Sequence, residues 1–168
     1  MTKFGFYFCA ILVIFLGGCS QNASTPFSTN GILNSSSAKF EGDVSDSSSI
    51  AFFKNNVGDR VLFSIDQSDI DQSGKDILLA QVDWLKANSD YKIIIEGHAD
   101  ERGTREYNLA LGARRANSAR EFLVSRGIES SRIQTVSFGK ERPLELCSNE
   151  NCYSENRRAV SVVSNLNF

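Results

Sequence analysis

Apolar side chains run unbroken from Phe6 to Leu16, thin out over about thirty residues, and return in short clusters from Ile50 onward. The first run is eleven residues long, whereas a helix crossing the hydrocarbon core of a bilayer needs about twenty. Residues 1–18 therefore read as an export signal and not as an anchor. Ser20 to Ser49 is rich in Ser, Thr, Asn and Gly, and the scattered Phe27, Ile32, Leu33, Phe40 and Val44 share no face they could bury. Such a stretch cannot offset the entropy cost of ordering, so residues 19–49 read as a flexible tether, with a root-mean-square span of roughly 30 Å. Beyond it, β-branched and aromatic runs predict strands at Val61–Ile65, Lys92–Glu96, Ile133–Phe138 and Ala159–Val163. Ser73-Gly74-Lys75-Asp76 predicts a helix start, followed by Leu78, Val82 and Leu85 on one stripe with Ile77 and Trp84 beside it. A second helix is predicted by Leu109, Ala113, Ala116, Ala119 and Leu123, and Gly127 stops it. Strand, helix, strand, helix, strand and a last strand is the order of helices packed on a sheet, an α/β domain over residues 50–168.

The apolar run ends in Leu16-Gly17-Gly18-Cys19, which resembles the lipobox of bacterial lipoproteins. That resemblance implies cleavage before Cys19 and acylation of its thiol. Several acyl chains, at about 0.8 kcal/mol per buried methylene, would hold the mature chain on a membrane effectively permanently. Ser20, where an Asp would favour the inner membrane, points to the periplasmic face of the cell outer membrane. The full chain carries 18 Lys and Arg against 20 Asp and Glu. This mild acidity excludes binding dominated by nucleic-acid phosphates. One His, one Met and no Cys-x-x-Cys pair leave little for a zinc or iron–sulfur site, so no metal or cofactor is expected. Cys147 and Cys152 bracket four residues ahead of the last strand, and an exported protein sits where disulfides persist; a local bridge between them is expected.

Chemistry concentrates in Glu96-Gly97-His98-Ala99-Asp100-Glu101-Arg102-Gly103-Thr104-Arg105-Glu106-Tyr107-Asn108, which leaves the second strand and enters the second helix. Farther along that helix, adjacent Arg114 and Arg115 point about 100° apart, so one is less exposed and needs an anionic partner. An Arg that grips a carboxylate in two-point contact and an Asp that accepts from an ammonium would together recognise a zwitterionic amino-acid head. The same charges could instead pair with one another as a solvated network. A hydrolase using His98 with Asp100 is a further reading, opposed by the presence of one histidine in all and of no Gly-x-Ser-x-Gly elbow. His98 reads instead as a turn residue satisfied by backbone or by a neighbouring acid.

The stretch from Glu96 to Asn108 continues as Leu109-Ala110-Leu111-Gly112-Ala113-Arg114-Arg115-Ala116-Asn117. With Val61-Leu62-Phe63-Ser64-Ile65-Asp66, Ser137 to Pro143, and Tyr153-Ser154-Glu155-Asn156-Arg157-Arg158-Ala159-Val160, it resembles the OmpA-like carboxy-terminal domain family, in the family's order from about Gly58 to Val163. The resemblance implies a mixed four-stranded sheet with helices packed on it. It also implies a non-catalytic domain that holds the diaminopimelate residue of the peptidoglycan stem peptide. Asp100 matches the position that takes the ligand's ammonium and Arg115 the one that takes a carboxylate. Asp66, Asn108 and Leu111 match positions that line or shape the pocket, and Asn156 with Arg157 an element of mainly structural role. Ser64 departs from the Asp that many members carry, and the cysteine-closed loop is absent from many. For an envelope lipoprotein of this family the resemblance further implies the Tol-Pal system, with TolB as partner and a part in outer-membrane constriction at division. An envelope lipoprotein of the same fold that contacts proteins only is the competing reading.

Overall fold

The structure is a computed structural model that describes residues 42–165. The expected signal at residues 1–18, the acylated Cys19 and the tether as far as residue 41 lie outside the described residues. Within them the elements run α1 (Ile50–Phe52, continued by a π-helical turn, Phe53–Gly58), β1 (Arg60–Leu62), α2 (Gln72–Ala87), β2 (Lys92–His98), α3 (Arg105–Ser125), β3 (Ile133–Gly139), α4 (Glu150–Asn156) and β4 (Arg158–Ser164). The sheet order is β1-β4-β2-β3. β4 is antiparallel to both β1 and β2, and β2 pairs with β3 in parallel, so the sheet is mixed and α3 is the crossover that a parallel pair requires.

Period-two alternation explains which face is covered. Ile93 and Ile95 of β2, Val61 of β1, and Ala159 and Val163 of β4 are buried in one cluster with Leu78, Val82 and Leu85 of α2 and Ala116, Ala119 and Leu123 of α3. Leu62, Val136 and Val162, on the intervening positions, remain exposed. Full burial of each large aliphatic in that cluster contributes about 1.5–3 kcal/mol.

The helix ends follow from side-chain and backbone caps. Asp71, not Ser73, caps α2: its carboxylate accepts from the Gly74 amide at 2.7 Å, and Ser73 lies inside the first turn. Thr104 caps α3 by accepting from the Tyr107 amide at 3.2 Å. At the other end Gly127, with φ +94°, lets the Ile128 amide reach back to the Leu123 carbonyl and its own amide to that of Val124. That is the paired closure of a Schellman motif, with buried Leu123 and Ile128 as its apolar contact.

The inward face of α3 differs from the predicted stripe. Leu109 is 48% exposed and Ala113 is exposed. The buried positions are Asn108, Leu111, Gly112, Arg115, Ala116, Ala119 and Leu123. Polar Asn108 and Arg115 point inward on the amino-terminal half beside Leu111, so an unbroken apolar stripe marks the core face only from Ala116 on. That half lies against the end of β2, where a Cβ on Gly97 would come within 1.8 Å of the Gly112 carbonyl oxygen. Two facing glycines thus allow backbone-to-backbone approach, and this fixes where α3 sits relative to the end of β2.

The domain also begins earlier than the predicted boundary at Ile50. Ser49 is 5% exposed, caps α1, and donates from its hydroxyl to the Asp43 carbonyl at 2.6 Å. The Trp84 indole donates to the Ser47 carbonyl at 2.8 Å. Residues 43–48 are exposed turns leading to buried Ser49, held by polar bonds to backbone, which a count of apolar side chains does not detect. Cys147 and Cys152 are joined by a disulfide with 5.8 Å between their Cα atoms. The loop they close leads into α4, a helix the sequence pattern does not signal.

Candidate functional site

β1 is shorter than its predicted run, and the departure builds the site. The Phe63 amide makes one more bond to the Arg157 carbonyl at 2.9 Å, and the chain then turns, with the Gln67 amide bonded to the Ser64 carbonyl at 3.2 Å. Asp66 sits in this turn at φ +59°, a conformation that Asp tolerates better than most residues. The turn directs the Ser64 and Gln67 carbonyls toward α3. Arg115, with no exposed surface, donates to Gln67 O from Nε at 2.8 Å, to His98 O from Nη1 at 2.8 Å, and to Ser64 O from Nη2 at 3.1 Å. A guanidinium has five N–H donors, so two are left for another acceptor. Burial and then the nearby Arg157 bring its pKa down to about 10, partly offset by Asp100 and Asp66. It is therefore a buried cation at neutral pH. Ser64, the departure from the family pattern, contributes its backbone carbonyl to Arg115.

The second charge comes from the loop after β2. The Ala99 amide donates to Gly139 O at 2.8 Å, Asn108 Nδ2 to Arg102 O at 2.7 Å, and Lys140 Nζ to Gly103 O at 2.7 Å; together these hold the loop against β3 and α3. Asp100, 7% exposed, turns its carboxylate toward two arginines. Oδ1 accepts from the Arg102 amide and Nε at 3.1 and 3.2 Å, while Oδ2 accepts from Arg102 Nη2 at 2.5 Å and Arg157 Nη1 at 3.3 Å. Burial alone would raise its pKa, but these bonds outweigh that and hold it below the ordinary carboxylate value.

Between these two groups lies a cleft of about 300 Å³. All five residues singled out from the sequence line it: Asp66, Asp100, Asn108, Leu111 and Arg115. So do Arg102, Tyr107 and Arg157, to which no binding role was assigned. The Tyr107 hydroxyl donates to Asp66 Oδ1. Asn156 has the structural role expected of it, accepting from the Leu144 and Glu145 amides at 2.7 and 3.0 Å. Arg157 does more. It is tied to Phe63 O at 2.9 Å and Glu150 Oε1 at 2.6 Å and also reaches Asp100. Its position in a run with Arg158, at the start of a strand, gave no sign of which arginine faces the cleft.

His98 does not line the cleft; the neighbouring acid expected beside it is Glu96, and the Arg142 backbone also lies against the ring. The residue is 2% exposed, and among the described residues neither ring nitrogen has a partner at ordinary hydrogen-bond geometry; Glu96 Oε2 is 3.7 Å from Nε2. Burial first, then Arg158 and Arg142, push its pKa down to about 4. The ring is neutral in the fold, whereas the unfolded chain takes up a proton from about pH 6.5 downward. His98 therefore favours folding fully above that pH, and stability falls as pH drops from about 6.5 toward 4. Urea unfolding at pH 7 and pH 4.5 should show a loss of stability that His98→Phe reduces.

Several known proteins share this arrangement of elements. Residues 62–161 match the model of the OmpA family. The peptidoglycan-associated lipoprotein of Mesorhizobium japonicum is 45% identical over 154 residues, 92% of this chain and 88% of its own length. The protein of that name from Rhizobium meliloti is 44% identical over 153 residues, 91% and 84%. The crystal structure of the peptidoglycan-associated lipoprotein from Burkholderia pseudomallei superimposes with a TM-score of 0.64 at 35% identity, covering 66% of this chain and 96% of that one. The C-terminal domain of Helicobacter pylori MotB, at 18% identity and a TM-score of 0.59, shares the fold. With the family match spanning most of the domain and near-full-length relatives above 40% identity, the chain belongs to the OmpA family.

Proposed function

We propose that this domain binds peptidoglycan non-covalently, with Asp100 receiving the ammonium and Arg115 a carboxylate of the diaminopimelate residue in the stem peptide. The observation that carries the reading is a single cleft lined by a buried carboxylate and by a buried guanidinium with two unused donors. A zwitterionic amino-acid head brings the matching pair of charges. The relatives named peptidoglycan-associated lipoprotein support peptidoglycan as the target. It is a binding domain and not an enzyme. The chain's one histidine is buried outside the cleft, away from anything a general base would act on.

In the cell, the chain would act as an outer-membrane lipoprotein acylated at Cys19, with its domain on the periplasmic side. As a component of the Tol-Pal system it would bind TolB and link outer membrane to wall during division. Weak, reversible grip at each site suits that task, because many anchored copies acting on a repeating wall are strong together.

Co-sedimentation with purified sacculi tests the wall-binding part: the parent chain should pellet and Asp100→Ala should stay in the supernatant. If Asp100→Ala pellets as well as the parent, the site is wrong. The pH dependence has a defined sign. Binding requires ionised Asp100 and a protonated ligand amine, and the carboxyl titrates below its usual value. Sedimentation should thus stay level from pH 7 down to about 5 and decline only below the ordinary carboxylate range, about pH 4. A decline already complete by about pH 5 would contradict the assignment to Asp100.

A further inference from the structure

The Asp100 carboxylate has no vacancy for a ligand. An ionised carboxylate offers about four acceptor positions, and here four donors fill them: the Arg102 amide, Arg102 Nε, Arg102 Nη2 and Arg157 Nη1. An incoming ammonium can be accepted only if a donor leaves, and the donors differ in how firmly they are held. The Arg157 side chain is 6% exposed and is fixed by Phe63 O and Glu150. The Arg102 side chain is 43% exposed. Its two side-chain bonds to Asp100 are the ones that can be given up without disturbing the backbone, since its amide keeps a separate bond to Oδ1.

Two contacts to α4 that do not involve Asp100 already hold this guanidinium and remain available to it after release. Arg102 Cζ lies 4.5 Å from the centre of the Tyr153 ring, and Nη1 lies 3.7 Å from Glu150 Oε2. The aromatic face and the acid together stabilise a cation that has let go of Asp100.

We propose that Arg102 is an internal occupant of the ammonium subsite, which the ligand's ammonium displaces onto Tyr153 and Glu150. It is a specificity-determining residue: a ligand with an anionic group but no cation cannot evict it. This rests on the function proposed above and adds that part of the binding free energy is spent separating an ion pair within the protein.

Calorimetric titration of the purified chain with free meso-diaminopimelate, and with its di-N-acetylated derivative, tests the displacement. Removing the competing guanidinium should let Arg102→Ala bind the free amino acid about 1.4- to five-fold tighter than the parent, the range that a solvent-screened ion pair spans. The same variant should gain nothing toward the acetylated probe, which carries no ammonium. Arg102→Lys, which cannot span both carboxylate oxygens, should fall between the two. Equal or weaker binding of the free amino acid by Arg102→Ala overturns the proposal.

Because the substitution also removes a tie from the loop, the parent supplies an independent readout. Its Arg102 Nε–H resonance should pass from protected to rapidly exchanging when the chain is saturated with diaminopimelate. An unmoved resonance in a saturated parent overturns the displacement while leaving the function intact. A parent that binds no diaminopimelate overturns the function itself.

Discussion

Gly97→Ala should be the most damaging single-methyl substitution in the domain, lowering stability by at least about 3 kcal/mol, the upper end of the usual overpacking range. A Cβ at Gly97 would meet the Gly112 carbonyl oxygen at 1.8 Å and its carbon at 2.6 Å. Both are helix backbone, so no side-chain rotation relieves the contact and α3 must shift away from β2. That shift also separates Arg115 on α3 from the His98 carbonyl that holds Nη1. Binding should therefore fall together with the unfolding midpoint in denaturant. A midpoint equal to the parent's would mean that the two elements are not locked at this approach.

Arg115→Ala should cost about 3–5 kcal/mol, because it empties a fully buried position and leaves the Gln67, His98 and Ser64 carbonyls without their donor. Its loss of wall binding would by itself say little about ligand contact. Arg115→Lys separates the two effects. The ammonium retains the charge and at least one carbonyl bond, so the chain should fold, but it lacks the planar fork. Affinity for diaminopimelate should drop at least about ten-fold, close to 1.4 kcal/mol, while the fold persists by circular dichroism. A folded Arg115→Lys chain that binds as tightly as the parent would remove Arg115 from the carboxylate subsite.

The strands were legible because their apolar positions are packed against the helices. Ile93 and Ile95 are fully buried, and β-branched runs of that kind have few other uses. The amino-terminal half of α3 was not, since Asn108 and Arg115 occupy inward positions and hydrophobic spacing through Leu109 and Ala113 selects the wrong face. α4 and the turns at 43–49 are held by caps, a disulfide and side-chain bonds to backbone. Such interactions leave no periodic trace. Charge chemistry alone left Asp100 and Arg115 open between a ligand site and a solvated network, and the family resemblance singled out these two. Burial speaks against a solvated network: Asp100 is 7% exposed and Arg115 not at all, and both line one recess. The hold of Arg102 and Arg157 on Asp100 was not legible, because nothing in a sequence tells which of several arginines will fold back onto one carboxylate.

The central claim is that Asp100 and Arg115 receive the two ends of one diamino acid. The most direct measurement is a crystal structure of the chain with a stem peptide that ends in meso-diaminopimelate. The account predicts the terminal ammonium within about 3 Å of an Asp100 oxygen and a carboxylate oxygen within about 3 Å of Arg115. A peptide bound elsewhere on the domain, with the cleft between those residues empty, would contradict it.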